Sequence, residues 1–154
     1  MAHQPAHAKD AFTGDALERV ATTIAEVEKL TSAEIRISIL DERDTSDSEL
    51  KVEELAKKEF FRLKMDETKN HSGILLFILY AERKFYVYGD TGINSRLQQN
   101  TWNHIAATLT SQFSHGHFEE GLHLAVREIA KHLETAIPYE ADDTDELSNT
   151  VNIG

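Results

Sequence analysis

One apolar stretch sets the architecture that this chain predicts: Ser72-Gly73-Ile74-Leu75-Leu76-Phe77-Ile78-Leu79-Tyr80. Its apolar residues follow one another without alternation, which is typical of a strand that helices cover on both faces. The turn Ala81-Glu82-Arg83-Lys84 comes next, followed by Phe85-Tyr86-Val87-Tyr88-Gly89, whose aromatic and β-branched residues favour a second strand. We therefore predict a central strand over 74–80 that pairs antiparallel with a strand over 84–89.

A third strand is predicted upstream of the central one. Residues 35–40 alternate apolar with polar, and a helix with apolar residues at a 3.6-residue period separates them from the central strand. Ser46 and Glu49 have the spacing of a capping box, so we expect this helix to follow Ser46 and to end near Met65. A strand, a helix and a strand in that order favour a right-handed crossover, which makes 35–40 parallel to 74–80.

Three further helices complete the predicted fold. Thr13 is suited to be the N-cap of the first, and the 3.6-residue period returns after Ser95 and after His117. The fold class is therefore α/β, a small mixed β-sheet sandwiched between about four helices. Because 154 residues is the usual size of one domain, we predict a single domain over 12–138, a flexible segment over 1–11 and an acidic tail over 139–154.

The composition excludes several classes of function. A formal net charge of -11 disfavours nucleic acid as a partner, because proteins bind that polyanion largely through Lys and Arg. The chain has no cysteine, which excludes disulfides and thiolate metal sites. Its longest apolar run is far shorter than the ~20 residues that cross a bilayer. Its first residues lack the apolar core of a secretory signal, so we expect no transmembrane segment and a cytoplasmic location.

Several segments, in order and spacing, resemble the TPM domain family: Thr31-Ser32-Ala33-Glu34-Ile35-Arg36-Ile37, Ser72-Gly73-Ile74-Leu75, Gly89-Asp90-Thr91-Gly92-Ile93 and Phe118-Glu119-Glu120-Gly121-Leu122. More closely, the chain resembles the short bacterial members without a signal peptide, which end in an acidic tail such as Pro138-Tyr139-Glu140-Ala141-Asp142-Asp143. The resemblance implies a small sheet sandwiched between helices, in agreement with the prediction made from the residues.

The resemblance also implies candidate activities. Relatives in the thylakoid lumen are linked with photosystem repair and described as acid phosphatases, and some members bind divalent metal. Bacterial members often occur beside membrane-associated LemA-type proteins, which makes such a protein the expected partner. This chain departs from the family at Ser72, where many members have Asp or Asn, and at Gln98-Gln99-Asn100, where many have a proline with acidic residues.

One candidate site follows from the predicted topology. If 84–89 runs antiparallel to 74–80, Gly89 and Asp90 at the end of one strand lie beside 70–72 at the start of the other. Asp90, Thr91 and Asn94 are then candidate ligands of Ca2+ or Mg2+, and Asp90 with Ser72 are candidate catalytic residues. The alternative is a structural turn in which Asp90 bonds its own loop backbone.

Three functions from different classes remain open. The leading one is a small interaction or accessory module, because no catalytic motif of high specificity is present. The second is a phosphomonoester hydrolase in which a divalent cation at Asp90 activates water while Ser72 orients the phosphate. The third is a calcium- or magnesium-binding protein without catalysis. His115 and His117 could reach one metal, but no third ligand is spaced for zinc.

Overall fold

The computed structural model describes residues 4–94, 99–138 and 149–154, without the side chains of 99–101. Within these residues the sheet has four strands, which are β1 (Glu34–Leu40), β2 (Gly73–Leu79), β3 (Lys84–Gly89) and β4 (Asn152–Ile153). They lie in the order β3-β2-β1-β4. Strand β2 is therefore internal, as its uninterrupted apolar sequence predicts.

The register of the strands confirms the predicted mixed sheet. β1 and β2 are parallel, with Ile35 opposite Ile74, whereas β2 and β3 are antiparallel, with Ile74 opposite Gly89. β4 was not predicted, and it pairs parallel with β1 through Ser38 and Asn152.

Six α-helices accompany the sheet in the described part of the chain. They are α1 (Ala8–Ala11), α2 (Gly14–Val27), α3 (Val52–Arg62), α4 (Thr91–Asn94), α5 (Gln99–Ser114) and α6 (Phe118–Ala136), with short 3-10 turns at Thr45–Asp47 and Met65–Glu67. Thr13 caps α2 as predicted, because its Oγ1 accepts a hydrogen bond from Ala16 N at 3.3 Å.

The predicted start of the helix between β1 and β2 is wrong. Asp44 accepts a hydrogen bond from Ser46 N at 3.2 Å and caps the 3-10 turn at Thr45–Asp47. Helix α3 begins only at Val52, where the Glu54 carboxylate accepts from Lys51 N at 3.2 Å. Asp44 and Glu54 both have side chains that can cap a helix, and the sequence spacing alone does not determine which of them marks the start of the long helix.

Helices cover both faces of the sheet. On one face, Ile35, Ile37 and Ile39 of β1 join a core that α2, α5 and α6 complete. On the other face, Leu75, Phe77 and Leu79 of β2 pack against α3, chiefly against Leu55 and Phe60. The four helices longer than ten residues thus form the two outer layers of the predicted sandwich.

Residues on both sides of the predicted domain contact its core. Ala8 is buried, and its N–H donates to the Asp41 carboxylate at 2.8 Å. At the other terminus Val151 is buried, and Gly154 N donates to Ile39 O at 2.9 Å. Apolar anchors and the open edge of β1 hold 149–154, and Ala8 is anchored within the segment over 1–11 that we predicted to be flexible. Residues 139–148 of the tail lie outside the described residues, and the limits 12–138 stay a prediction.

No helix among the described residues is both long and apolar enough to span a membrane.

The burial of β2 predicts a large effect of truncating Phe77, whose side chain is 1% exposed. Phe77→Ala removes transfer free energy and leaves a cavity beside α3, so we expect the free energy of unfolding to fall by about 3 to 5 kcal/mol in urea melts. Phe61→Ala is the matched control, because Phe61 is 48% exposed. That change should cost less than about 1 kcal/mol, and equal losses in the two variants would contradict the assignment of β2 as the internal strand.

Candidate functional site

Two loops meet at the end of the sheet where β3 finishes and β2 begins. Asp90 N donates to Gly73 O, and Gly92 N donates to His71 O, both at 2.9 Å. Gly92 permits this approach, because a Cβ atom there would lie 2.4 Å from Asn70 O and 2.5 Å from His71 O. The convergence that the antiparallel hairpin predicted is therefore present.

Asp90 occupies the centre of this junction and is 9% exposed. Its Oδ1 accepts a hydrogen bond from Thr91 N at 2.7 Å, and its carbonyl accepts from Ile93 N and Asn94 N at the start of α4. Its Oδ2 is buried and accepts no hydrogen bond from the described residues, with His71 Nδ1 3.4 Å away. Asp90 thus caps its own turn with one oxygen, while the other is in the longer contact with His71.

The other predicted site residues are arranged less favourably for catalysis. Thr91 and Asn94 are exposed on the same turn as Asp90, but the Asn94 amide donates to Gly89 O at 2.9 Å. Ser72 is buried, and its hydroxyl donates to Ser32 O at 3.4 Å, toward the start of β1. A nucleophilic or phosphate-orienting role would require that hydroxyl to face solvent beside Asp90.

Two buried acids near this junction were missed by the sequence analysis. Glu34 is 2% exposed at the start of β1, opposite Gly73. Glu28 is 6% exposed, and its Oε2 accepts from Ile35 N at 2.8 Å. Glutamate is rarely buried without a partner. The signal for a buried acid in the sequence was the position of Glu34 directly before the apolar residues of β1.

Within the described residues no group of three or more His, Asp or Glu side chains is arranged to hold a metal ion. The rings of His115 and His117 stack, with their centroids 6.2 Å apart.

A second polar network joins α2 to α6. The Thr23 hydroxyl lies 2.8 Å from His123 Nδ1, and His123 Nε2 lies 3.0 Å from the Glu119 carboxylate. Arg19 donates two hydrogen bonds of 2.8 Å to the same carboxylate and is the main reason that the pKa of Glu119 is lowered to about 2. The order of hydroxyl, imidazole and carboxylate is that of a catalytic triad, but Thr23 is only 4% exposed. The network therefore ties two helices together.

The family model of the TPM domain matches residues 7–132. This chain belongs to the TPM domain family. Its structure is similar to the NMR structure of the BA42 protein from the psychrophilic bacterium Bizionia argentinensis, with 31% identity and a TM-score of 0.83 over 93% of this chain and 95% of that one. The N-terminal domain of a protein from P. gingivalis shares the fold at 18% identity, with a TM-score of 0.65 over 82% of this chain and 79% of that one. No curated protein matches the sequence.

The close contact at Gly92 predicts that this TPM domain does not tolerate a side chain there. Gly92→Ala would push the turn away from Asn70 and His71, and we expect the free energy of unfolding to fall by about 1 to 3 kcal/mol. Gly14→Ala is the control, because nothing lies within 4 Å of a Cβ at Gly14. That variant should be as stable as the parent or up to about 1 kcal/mol more stable in urea melts. A neutral Gly92→Ala would mean that the two loops are not held together.

Proposed function

We propose that this TPM domain is a small interaction module without catalytic activity, and that its binding surface is the free edge of β3. The observation that carries this proposal is the outward-facing backbone N–H and C=O of Phe85. No strand among the described residues pairs with them. An edge of this kind is a template for an added strand.

The direction of the backbone groups follows from the hairpin register. Asp90 N donates to Gly73 O, so these opposite residues are a hydrogen-bonded pair. Alternation along an antiparallel pair then makes Tyr88, Tyr86 and Lys84 bond to β2, whereas the N–H and C=O of Phe85 and Val87 point away from it. Val87 is only 8% exposed, so Phe85 is the more accessible position.

Aromatic side chains flank this edge on both faces of the sheet. Tyr86 and Tyr88 are half-buried on the α3 side, where Phe61 is 48% exposed. Phe85 is half-buried on the opposite side and packs edge-on against Phe113, with centroids 5.2 Å apart. Aromatic residues are enriched in protein interfaces, which supports a binding role.

The hydrolase alternative has less support than the binding role. It requires the Ser72 hydroxyl to orient a phosphate, but that hydroxyl is buried and donates to Ser32 O. A partner of the membrane-associated LemA type, which the family resemblance implies, and a cytoplasmic location, which the first residues of the chain suggest, stay predictions.

A peptide-binding assay tests the proposed module. Random heptapeptide libraries are panned on the immobilised protein, and the binding of enriched peptides is mapped by amide chemical shifts. We expect binding with Kd values of micromolar order and with shifts concentrated on β3, as strand addition predicts. Shifts confined to the α6 surface, or no enrichment at all, would contradict the proposal.

Divalent cation binding at Asp90 is a second candidate function. The supporting observation is the buried Oδ2 of Asp90, which accepts no hydrogen bond from the described residues and has His71 Nδ1 3.4 Å away. Ca2+ or Mg2+ could take this oxygen together with Thr91 and water, since both ions prefer oxygen ligands and keep bound water when few ligands are supplied. The Asn94 amide is a weaker candidate because its nitrogen is already bonded to Gly89 O.

Thermal melts with and without millimolar calcium or magnesium test this second candidate. Asp90→Ala removes the bond to Thr91 N, so it should cost about 1 kcal/mol without cation. If Asp90 is a ligand, cation raises the Tm of the parent and of a Glu67→Gln control, but leaves the Tm of Asp90→Ala unchanged. The same cation response in Asp90→Ala and parent would exclude a site at Asp90.

A further inference from the structure

A cavity of about 550 Å³ opens where β3 begins, between that strand and the C-terminal part of α5. Phe85 and Phe113 supply its apolar surface, and the exposed side chains of Arg83, Thr110 and His115 border it. No Asp or Glu among the described residues lines the cavity. It therefore combines an apolar interior with a border that carries the positive charge of Arg83, in a chain whose net charge is -11.

We propose that this cavity and the adjoining edge of β3 bind the free C-terminus of a partner polypeptide that ends in a bulky apolar residue. This inference rests on the proposed function, which it extends by stating the chemistry of the partner.

Backbone geometry favours a chain that runs antiparallel to β3. Such a strand would exchange two hydrogen bonds with the outward N–H and C=O of Phe85. Its direction would bring its last residues to the start of β3, beside the turn that contains Arg83. The final side chain could then enter the cavity between Phe85 and Phe113, where its apolar surface would leave water.

Arg83 has the position and charge to receive the terminal carboxylate. Its Nη1 donates to Tyr80 O at 2.8 Å, and its guanidinium carbon lies 4.1 Å from the centre of the Tyr80 ring. Those contacts hold the side chain, while no ion pair with a described residue neutralises it. The nearby Glu82 is engaged by Arg43 through hydrogen bonds of 2.6 and 2.8 Å. An arginine with free N–H groups binds a carboxylate in a defined orientation.

The same surface could accept a fatty acid, because a fatty acid also has a carboxylate and an apolar chain. A fatty acid would use the cavity and Arg83 but would leave the backbone groups of Phe85 unpaired. A peptide satisfies all three features, and for this reason the proposal commits to a peptide.

Matched fluorescent heptapeptides test the inference. One series ends in Phe or Leu with a free carboxylate, a second has the same sequences with a C-terminal amide, and a third ends in Asp. For the parent protein we expect the free acid ending in Phe or Leu to bind about tenfold more tightly than its amide, as a charge-assisted hydrogen bond implies. The series ending in Asp should bind weakly, because a charged side chain would enter the apolar cavity.

Two substitutions of Arg83 keep the test independent of folding. Arg83→Gln removes the charge, and Arg83→Gly does so while suiting the backbone, because Arg83 has a φ of 53°. Both should abolish the preference for the free acid over the amide. Arg127→Gln is the control, since Arg127 lies on α6 outside the cavity and makes no ion pair with described residues, and it should retain the tenfold preference.

The outcomes separate this inference from the proposed function. Equal binding of acid and amide along β3 would overturn the C-terminus proposal and leave the interaction module standing. Binding of dodecanoic acid without binding of any peptide would overturn both, and so would an absence of binding to either probe. A preference for the free acid that persists in Arg83→Gln and Arg83→Gly would show that Arg83 is not the carboxylate partner and would also refute the inference.

Discussion

The fold depends on covering one strand from four directions. All seven residues of β2 are buried, and its side chains alternate between the core under α2, α5 and α6 and the core under α3. Its backbone groups are paired on both sides by β1 and β3. A strand with this composition cannot tolerate water on any side, so the remainder of the chain has to supply two helical layers and two neighbouring strands.

This constraint also determines where binding or chemistry can occur. Since the middle of β2 is enclosed, only its ends approach the surface, and at its first residue the turn at Asp90 packs against the backbone of Gly73. The outer strand β3 has the opposite character, because its edge borders a cavity while its inner side is fully paired. The two candidate surfaces therefore arise from the same hairpin, one at its open end and one near its turn.

Much of the architecture was accessible from the sequence because the signals were long. The apolar run over 74–80 identified an internal strand, and the short turn before Phe85 required the antiparallel partner. The meeting of Asp90 with 70–72 followed from that topology alone. Strand β4 was missed because two paired residues show no periodicity, and its stability comes from the β1 edge.

The chemical details of the site were less accessible for a different reason. The sequence identifies Ser72 as a hydroxyl near Asp90, but only the packing determines that it turns toward Ser32 O. Likewise, a glutamate such as Glu34 is expected at the surface unless a partner in another segment compensates its burial. The direction of a side chain and the partner that compensates a buried charge both depend on the tertiary structure. Local residue types and spacing do not determine them.

The pairing of β1 with β4 has a consequence for the order in which the chain is made. Ser38 and its partner Asn152 are 114 residues apart. At synthesis rates of about 5–20 residues per second, β1 is made about 6 to 23 s before the strand that closes its edge. Until then, only the edge of β1 that faces away from β2 lacks a neighbouring strand, and such an edge is a template for wrong association with other chains. The outer edge of β1 therefore stays open for longer than either edge of β2, whose neighbours β1 and β3 are both complete well before β4.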